Sequence, residues 1–163
     1  MRVFLAAIVA VLGGTADARG SVIHAGGGWA AIDRGDVCDA LSRSVRIAEK
    51  GKVQAVAGFS FTTDHRRWGE FHARLSHLPR PGSSVLLTVG DQPFLLVARD
   101  DWAWSRGPAQ EQAIIGAVRS ADGMRVEGRD PGGRRFVDPY ELGGAPTAID
   151  AAAARCAGKM QPR

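Results

Sequence analysis

Two cysteines, Cys38 and Cys156, stand near opposite ends of the foldable chain, and there is no third to compete for either. If they pair, every element between them must fit inside a closed loop of nearly 120 residues. Pairing needs an oxidising compartment, and the first residues point to one. Met1-Arg2 precedes an apolar run from Val3 to Leu12, and Gly13-Gly14-Thr15-Ala16-Asp17-Ala18 follows. One positive charge, a short apolar core and small residues at Ala16 and Ala18 form the three-part secretory pattern, with cleavage expected after Ala18. An apolar run of roughly ten residues is half of what a spanning helix needs, so no transmembrane segment is expected in the mature protein. No cysteine adjoins the cut, and Arg2 stands alone, which disfavours lipoprotein and twin-arginine export. The expected location is the periplasm or beyond.

The alternative to a bond is two thiols, one of them a nucleophile. Such a thiol needs a low pKa and a nearby base. Neither cysteine has a histidine near it in sequence, and Asp36 and Asp39 flank Cys38 with charge of the unhelpful sign. A structural disulfide is the stronger expectation. In the chain-entropy picture, a loop this long contributes about 4–5 kcal/mol, a large share of the roughly 5–15 kcal/mol that holds a domain folded.

From Arg19 onward about 145 residues remain, a length that fits one domain with a real core. The chain carries 21 basic and 17 acidic residues, for a net charge of +4. The arginines are scattered, and only Arg66-Arg67 and Arg134-Arg135 are adjacent. Nucleic-acid binders concentrate charge on one face or in one run, so no nucleic-acid partner is expected.

The domain plan places a signal peptide at 1–18, a flexible lead-in at 19–27 that runs into the Gly26-Gly27-Gly28 stretch, a single domain at 28–158 and a tail at 159–163. Trp29 to Ile32 reads as the first strand, and Val53 to Phe61 as another, with Phe59 and Phe61 on one face. Phe71-His72-Ala73-Arg74-Leu75 alternates apolar and polar, placing His72 on the polar side. Ser84–Val89 and Phe94–Ala98 flank Gly90-Asp91-Gln92-Pro93, and a second hairpin surrounds Asp130-Pro131-Gly132-Gly133. Helical spacing takes over at Pro108–Ser120 and again at Pro146–Ala157, where Ile149, Ala152, Ala153 and Cys156 share a face. Short strands, short turns and no strand–helix alternation predict a mainly β, antiparallel sandwich with two short helices.

The block Phe136-Val137-Asp138-Pro139-Tyr140-Glu141-Leu142-Gly143-Gly144-Ala145, followed by Ala148-Ile149-Asp150-Ala151-Ala152 and Cys156, resembles the invasion-associated locus B (IalB) family. Trp29, Cys38, Ser83 to Leu87 and Pro93-Phe94 are similar to its earlier strands, so the resemblance spans about Gly28 to Ala157. It implies an immunoglobulin-like β-sandwich exported from the cytoplasm, and it implies no catalytic residues.

No template for chemistry fits. His24, His65, His72 and His77 lack metal-ligand spacing, and no H-E-x-x-H or Cys-x-x-Cys is present. Gly58-Phe59-Ser60 lacks the second glycine of a nucleophile elbow. Asp36 with Asp39 and Asp100 with Asp101 lie too close in sequence to straddle a cleft as glycosidase acids do, and Asp100-Asp101 reads as a turn. Gly26-Gly27-Gly28 is followed by no Lys-Ser/Thr and is no phosphate loop. Neither metal nor cofactor is expected.

The candidate ligand surface is Trp102 and Trp104 with Arg99 and Arg106. Residues two apart in a strand share a face, and exposed indoles beside arginines can stack on a sugar, a peptide or a lipid head. The competing reading buries one or both indoles in the core. The expected function is therefore a non-catalytic exported module that binds a protein or an envelope component. Two alternatives stand beside it. One is a small periplasmic hydrolase using Asp64, His65 or His72. The other is a polyanion-binding module using dispersed arginines.

Overall fold

Short alternating runs joined by glycine-rich turns can pair only with their neighbours, and antiparallel hairpins result. The computed structural model describes residues 20–159. The expected signal peptide and the end of the tail lie outside them. The strands are β1 (Ser21–Gly26), β2 (Trp29–Asp33), β3 (Val37–Arg43), β4 (Val56–Thr62), β5 (Trp68–Arg74), β6 (Leu86–Val89), β7 (Gln92–Leu95), β8 (Val97–Arg99), β9 (Trp102–Trp104), β10 (Gly123–Arg129) and β11 (Arg135–Glu141), with helices α1 (Pro108–Val118) and α2 (Ala145–Ala157). Two antiparallel sheets result, of order β1-β2-β3-β4-β5-β9-β8 and β11-β10-β6-β7. The protein is thus the mainly β sandwich with two short helices that its pattern predicts.

Three elements depart from the sequence expectation. The stretch read as a flexible lead-in contains β1, which pairs with β2 through Gly27-Gly28 at φ 58° and 81°. Two successive positive φ values are what a tight hairpin turn demands, so the glycines close a hairpin. β3 has no clean alternation and escapes a periodicity reading. Finally, Phe94–Ala98 is not one strand. Leu96, nearly fully buried, carries the chain from the small sheet into the large one.

The large sheet has two unlike faces. Trp29, Ala40, Phe59, Phe71 and Ala103 point to one side and are fully buried. That inner face receives the small sheet's Leu87, Val126 and Phe136, and it also receives the helices. α2 packs on β1 to β4, and α1 packs on β5. Ala31 and Ala40 of the sheet meet Ala145, Ala148 and Ala152 of α2, all with no exposed surface. Methyl groups on both sides let the helix lie close. At the turn into β5, the bulge residue Gly69 has φ 86°, and a Cβ there would come within 2.6 Å of Ile115 Cδ1 of α1.

The Cys38–Cys156 bond pins α2 to β3 across 118 positions, with Cα atoms 5.8 Å apart. Beside it, Asp33 pairs with Cys38 across strands. Its carboxylate takes Lys159 Nζ, Arg155 Nε at 2.6 Å and the Gly35 amide at 2.9 Å. The Lys159 hydrogen bond, then those of Arg155 and Gly35, hold this carboxyl well below the usual carboxylate range. Replacing both cysteines with alanine should lower unfolding stability by about 4 kcal/mol in a urea melt. A loss under about 1 kcal/mol would show that α2 is held by packing and the Asp33 cluster alone.

Candidate functional site

With the small sheet and both helices on the inner face, the outer face of the large sheet is left open among the described residues. Register assigns its side chains in rows. Ile32, Asp39, Ser60 and Glu70 stand opposite one another across β2 to β5. The next row is Ala30, Leu41, Gly58, His72, Trp104 and Val97, and a third holds Arg43, Val56, Arg74, Trp102 and Arg99. Gly58 is a low point in the second row. A Cβ there would meet Ala40 O and Leu41 Cδ2 at 2.4 Å, so the site cannot carry a side chain without moving β3.

Trp102 and Trp104 both lie on this outer face, while Ala103 between them is fully buried. Trp102 is 36 % exposed and Trp104 is half-buried, so the core reading of the pair does not hold. Their rings are nearly parallel, 16° apart with centroids 6.2 Å apart, and His72 lies 6.1 Å from Trp102. The flanking arginines separate. Arg99 sits opposite Trp102 on the edge strand and shares its face. Arg106 lies past β9, exposed, where its backbone amide donates to Gln110 Oε1 at 2.7 Å at the start of α1.

Next to the indoles is a hydrogen-bonded chain. Ser60 Oγ donates to Asp39 Oδ1 at 2.7 Å and lies 3.2 Å from His72 Nδ1. A carboxylate can only accept, so the single hydroxyl proton goes to Asp39. His72 Nδ1 must then carry the proton it donates to Ser60, leaving Nε2 as the ring's acceptor. The order is Asp–Ser–His. In a nucleophile triad the imidazole stands between acid and hydroxyl and draws off the hydroxyl proton. Here the imidazole donates to the hydroxyl, and Ser60 is not activated. What the chain does is orient His72 and fix its tautomer.

Three arginines at this face have carboxylate partners, whereas Arg43 and Arg99, at the two ends of the third row, have none within ion-pair distance among the described residues. Arg34 Nε lies 3.1 Å from Asp39 Oδ2, Arg67 is 3.8 Å from Glu70, and Arg74 Nε is 3.0 Å from Asp101. Burial pushes the Glu70 carboxyl upward, with Glu111 adding to the shift and Arg67 opposing it. Burial also pushes His72 downward, against the Asp39 charge and a hydrogen bond from the imidazole to the Glu70 backbone. Arg34, Asp39, Arg67, Glu70 and His72 line a groove of about 420 Å³ together with the two indoles. A separate groove of about 710 Å³ lies over β1 to β4, lined by Ala30, Ile32, Leu41 and Val56 with Arg43 and Glu141.

The other candidate residues are dispersed. Asp64 accepts from Thr62 Oγ1 and the Arg66 amide in the turn between β4 and β5. His65 stacks on Trp68 in the same turn, at 4.0 Å and 13°, bordering the cleft between the helices. Neither converges with His72. Asp100 and Asp101 form the β8–β9 turn, with Asp100 at φ 52°. Among the described residues, no three His, Cys, Asp or Glu side chains cluster to hold a metal ion.

His72 gives the site a pH signature. Its pKa is depressed in the fold, so below about pH 6.5 the unfolded chain binds a proton that the folded chain resists. Stability attributable to His72 is therefore full at higher pH and lost as pH falls through that window. Glu70, shifted upward, contributes with the opposite sign at lower pH. The melting temperature should drop between about pH 7 and 5.5, and His72→Gln should flatten that slope. An unchanged slope in the variant would mean that His72 is not held neutral.

Comparison of the chain with protein-family models, with curated proteins and with solved structures returns no match in any of the three.

Proposed function

We propose that this chain is an exported, non-catalytic binding domain that holds a cell-envelope component on the outer face of its seven-stranded sheet. The observation that carries the reading is the placement of Trp102 and Trp104, nearly parallel on an open face beside an oriented histidine. Indoles kept out of the core while six other aromatic rings are buried in it are a surface prepared for contact. Export is supported by the secretory pattern of residues 1–18 and by the disulfide, which fits an oxidising compartment. No helix among the described residues is long and apolar enough to cross a membrane. The likeness to invasion-associated locus B proteins agrees with this reading.

The alternatives have less behind them. A hydrolase would need an activated group, and the Asp39–Ser60–His72 order supplies none. A polyanion site would need unpaired arginines in a cluster, whereas Arg34, Arg67 and Arg74 each face a carboxylate and the unpaired Arg43 and Arg99 stand at opposite ends of their row.

Co-sedimentation of the oxidised chain from Arg19 onward with isolated envelope fragments tests the proposal. Each indole should contribute about 1–2 kcal/mol, so Trp102→Ala with Trp104→Ala should weaken binding about a hundredfold while leaving the fold intact. A double variant that sediments as fully as the wild type would overturn it.

A further inference from the structure

The groove's charge balance narrows the ligand within that reading. Two carboxylates line it, Asp39 and Glu70, and each has its own arginine, Arg34 at 3.1 Å and Arg67 at 3.8 Å. Burial, with the Arg67 and Arg34 charges nearby, pushes His72 toward its neutral form. The groove therefore offers no net charge for a polyanion or a polycation to neutralise. An acyl chain fits no better. Covering Asp39 and Glu70 with hydrocarbon would strip their water and return no hydrogen bond, which is costly. What remains compatible is a neutral molecule with apolar patches for the indoles and hydroxyl groups for the polar chain.

We infer that the groove binds an uncharged oligosaccharide, its sugar rings stacked on Trp102 and Trp104 and its hydroxyls bonded to His72, Asp39 and Glu70. This rests on the proposal that the outer face is the binding surface. Pyranose rings present C–H faces that stack on indole, and hydroxyls both donate and accept. His72 Nε2 accepts from a hydroxyl because Ser60 holds the proton on Nδ1. The arginines donate to hydroxyl oxygens without losing their carboxylate partners. A groove of about 420 Å³ lies within the range of small-ligand sites and suits a short oligosaccharide. Ser60 is a positioning residue in this arrangement: it fixes the ring that touches the sugar.

The test is an amide and indole NMR titration of the oxidised chain with neutral tetrasaccharides of glucose, mannose, galactose and N-acetylglucosamine, each to about 10 mM. At least one should shift the Trp102 and Trp104 indole resonances. Its affinity should fall at least tenfold in Trp104→Ala and severalfold in Ser60→Ala, with both variants shown to be fully folded at the titration temperature by their amide spectra. Affinity should also hold within about twofold from roughly 50 to 500 mM salt, because no net charge is engaged. No shift across the panel, a steep loss with salt, or wild-type affinity in Trp104→Ala overturns the inference. A silent panel, alongside envelope binding that still depends on the two tryptophans, would remove the oligosaccharide and leave the binding face. If both are silent, the binding face goes too.

Discussion

The attachment of α2 to the inner face of the large sheet is the contact on which the remaining architecture turns. Cys156 is bonded to Cys38 of β3, and one residue earlier Arg155 reaches the Asp33 carboxylate of β2. Alanines on both partners bring helix and sheet close enough for these links to form. Once α2 occupies the β1–β4 half of that face, the small sheet and α1 must share what is left. Cross-links follow the same direction: Trp29 Nε1 donates to Glu141 O at 2.8 Å, and both Ser44 Oγ and the Val45 amide reach Pro139 O. Every covering element is thus drawn to one side of the seven-stranded sheet. The open outer face is a consequence of that one-sided packing.

An open sheet face normally becomes a plain solvated surface with alternating charged residues. This one does not. Asp39 and Ser60 are buried in place, with exposures of 8 % and 4 %, and they spend their hydrogen bonds on each other and on His72. Buried polar groups are held this way when their positions matter, because a half-satisfied network is worse than an apolar one. The result is a rigid polar strip beside two indoles, on strands rather than on loops. Side chains held by a sheet keep their geometry better than those on mobile connections.

Much of the fold was legible from local chemistry. The hairpin around Asp130–Gly133 and both helices follow from turn residues and apolar spacing, and the ends of the helices lie within two residues of expectation. The Trp102–Trp104 pair was legible as two residues of one face, since a strand's period is two. Which face that was depends on what packs behind β9, and no local pattern records it. β3 was hidden for a related reason: Asp39 and Ser42 are polar yet buried, so Val37–Arg43 shows no alternation. Without β3 the chain joining Asp39, Ser60 and His72 could not be assembled. Those residues come from three strands, and only the cross-strand register brings them together. Glycines at 26–28 read as slack in sequence, whereas positive φ values and the approach of Gly144 make them a tight turn.

Hydroxyl-radical footprinting of the oxidised chain, with and without envelope fragments, addresses the central claim most directly. It reads every exposed side chain at once and presupposes no ligand. If the outer face of the large sheet is the working surface, protection should concentrate at Trp102, Trp104 and His72, with Leu78 and the exposed β3–β4 loop residue Ile47 left reactive. Protection centred on the cleft between the helices at Trp68 and Ile115, with the Trp102–Trp104 pair still fully oxidised, would contradict the account.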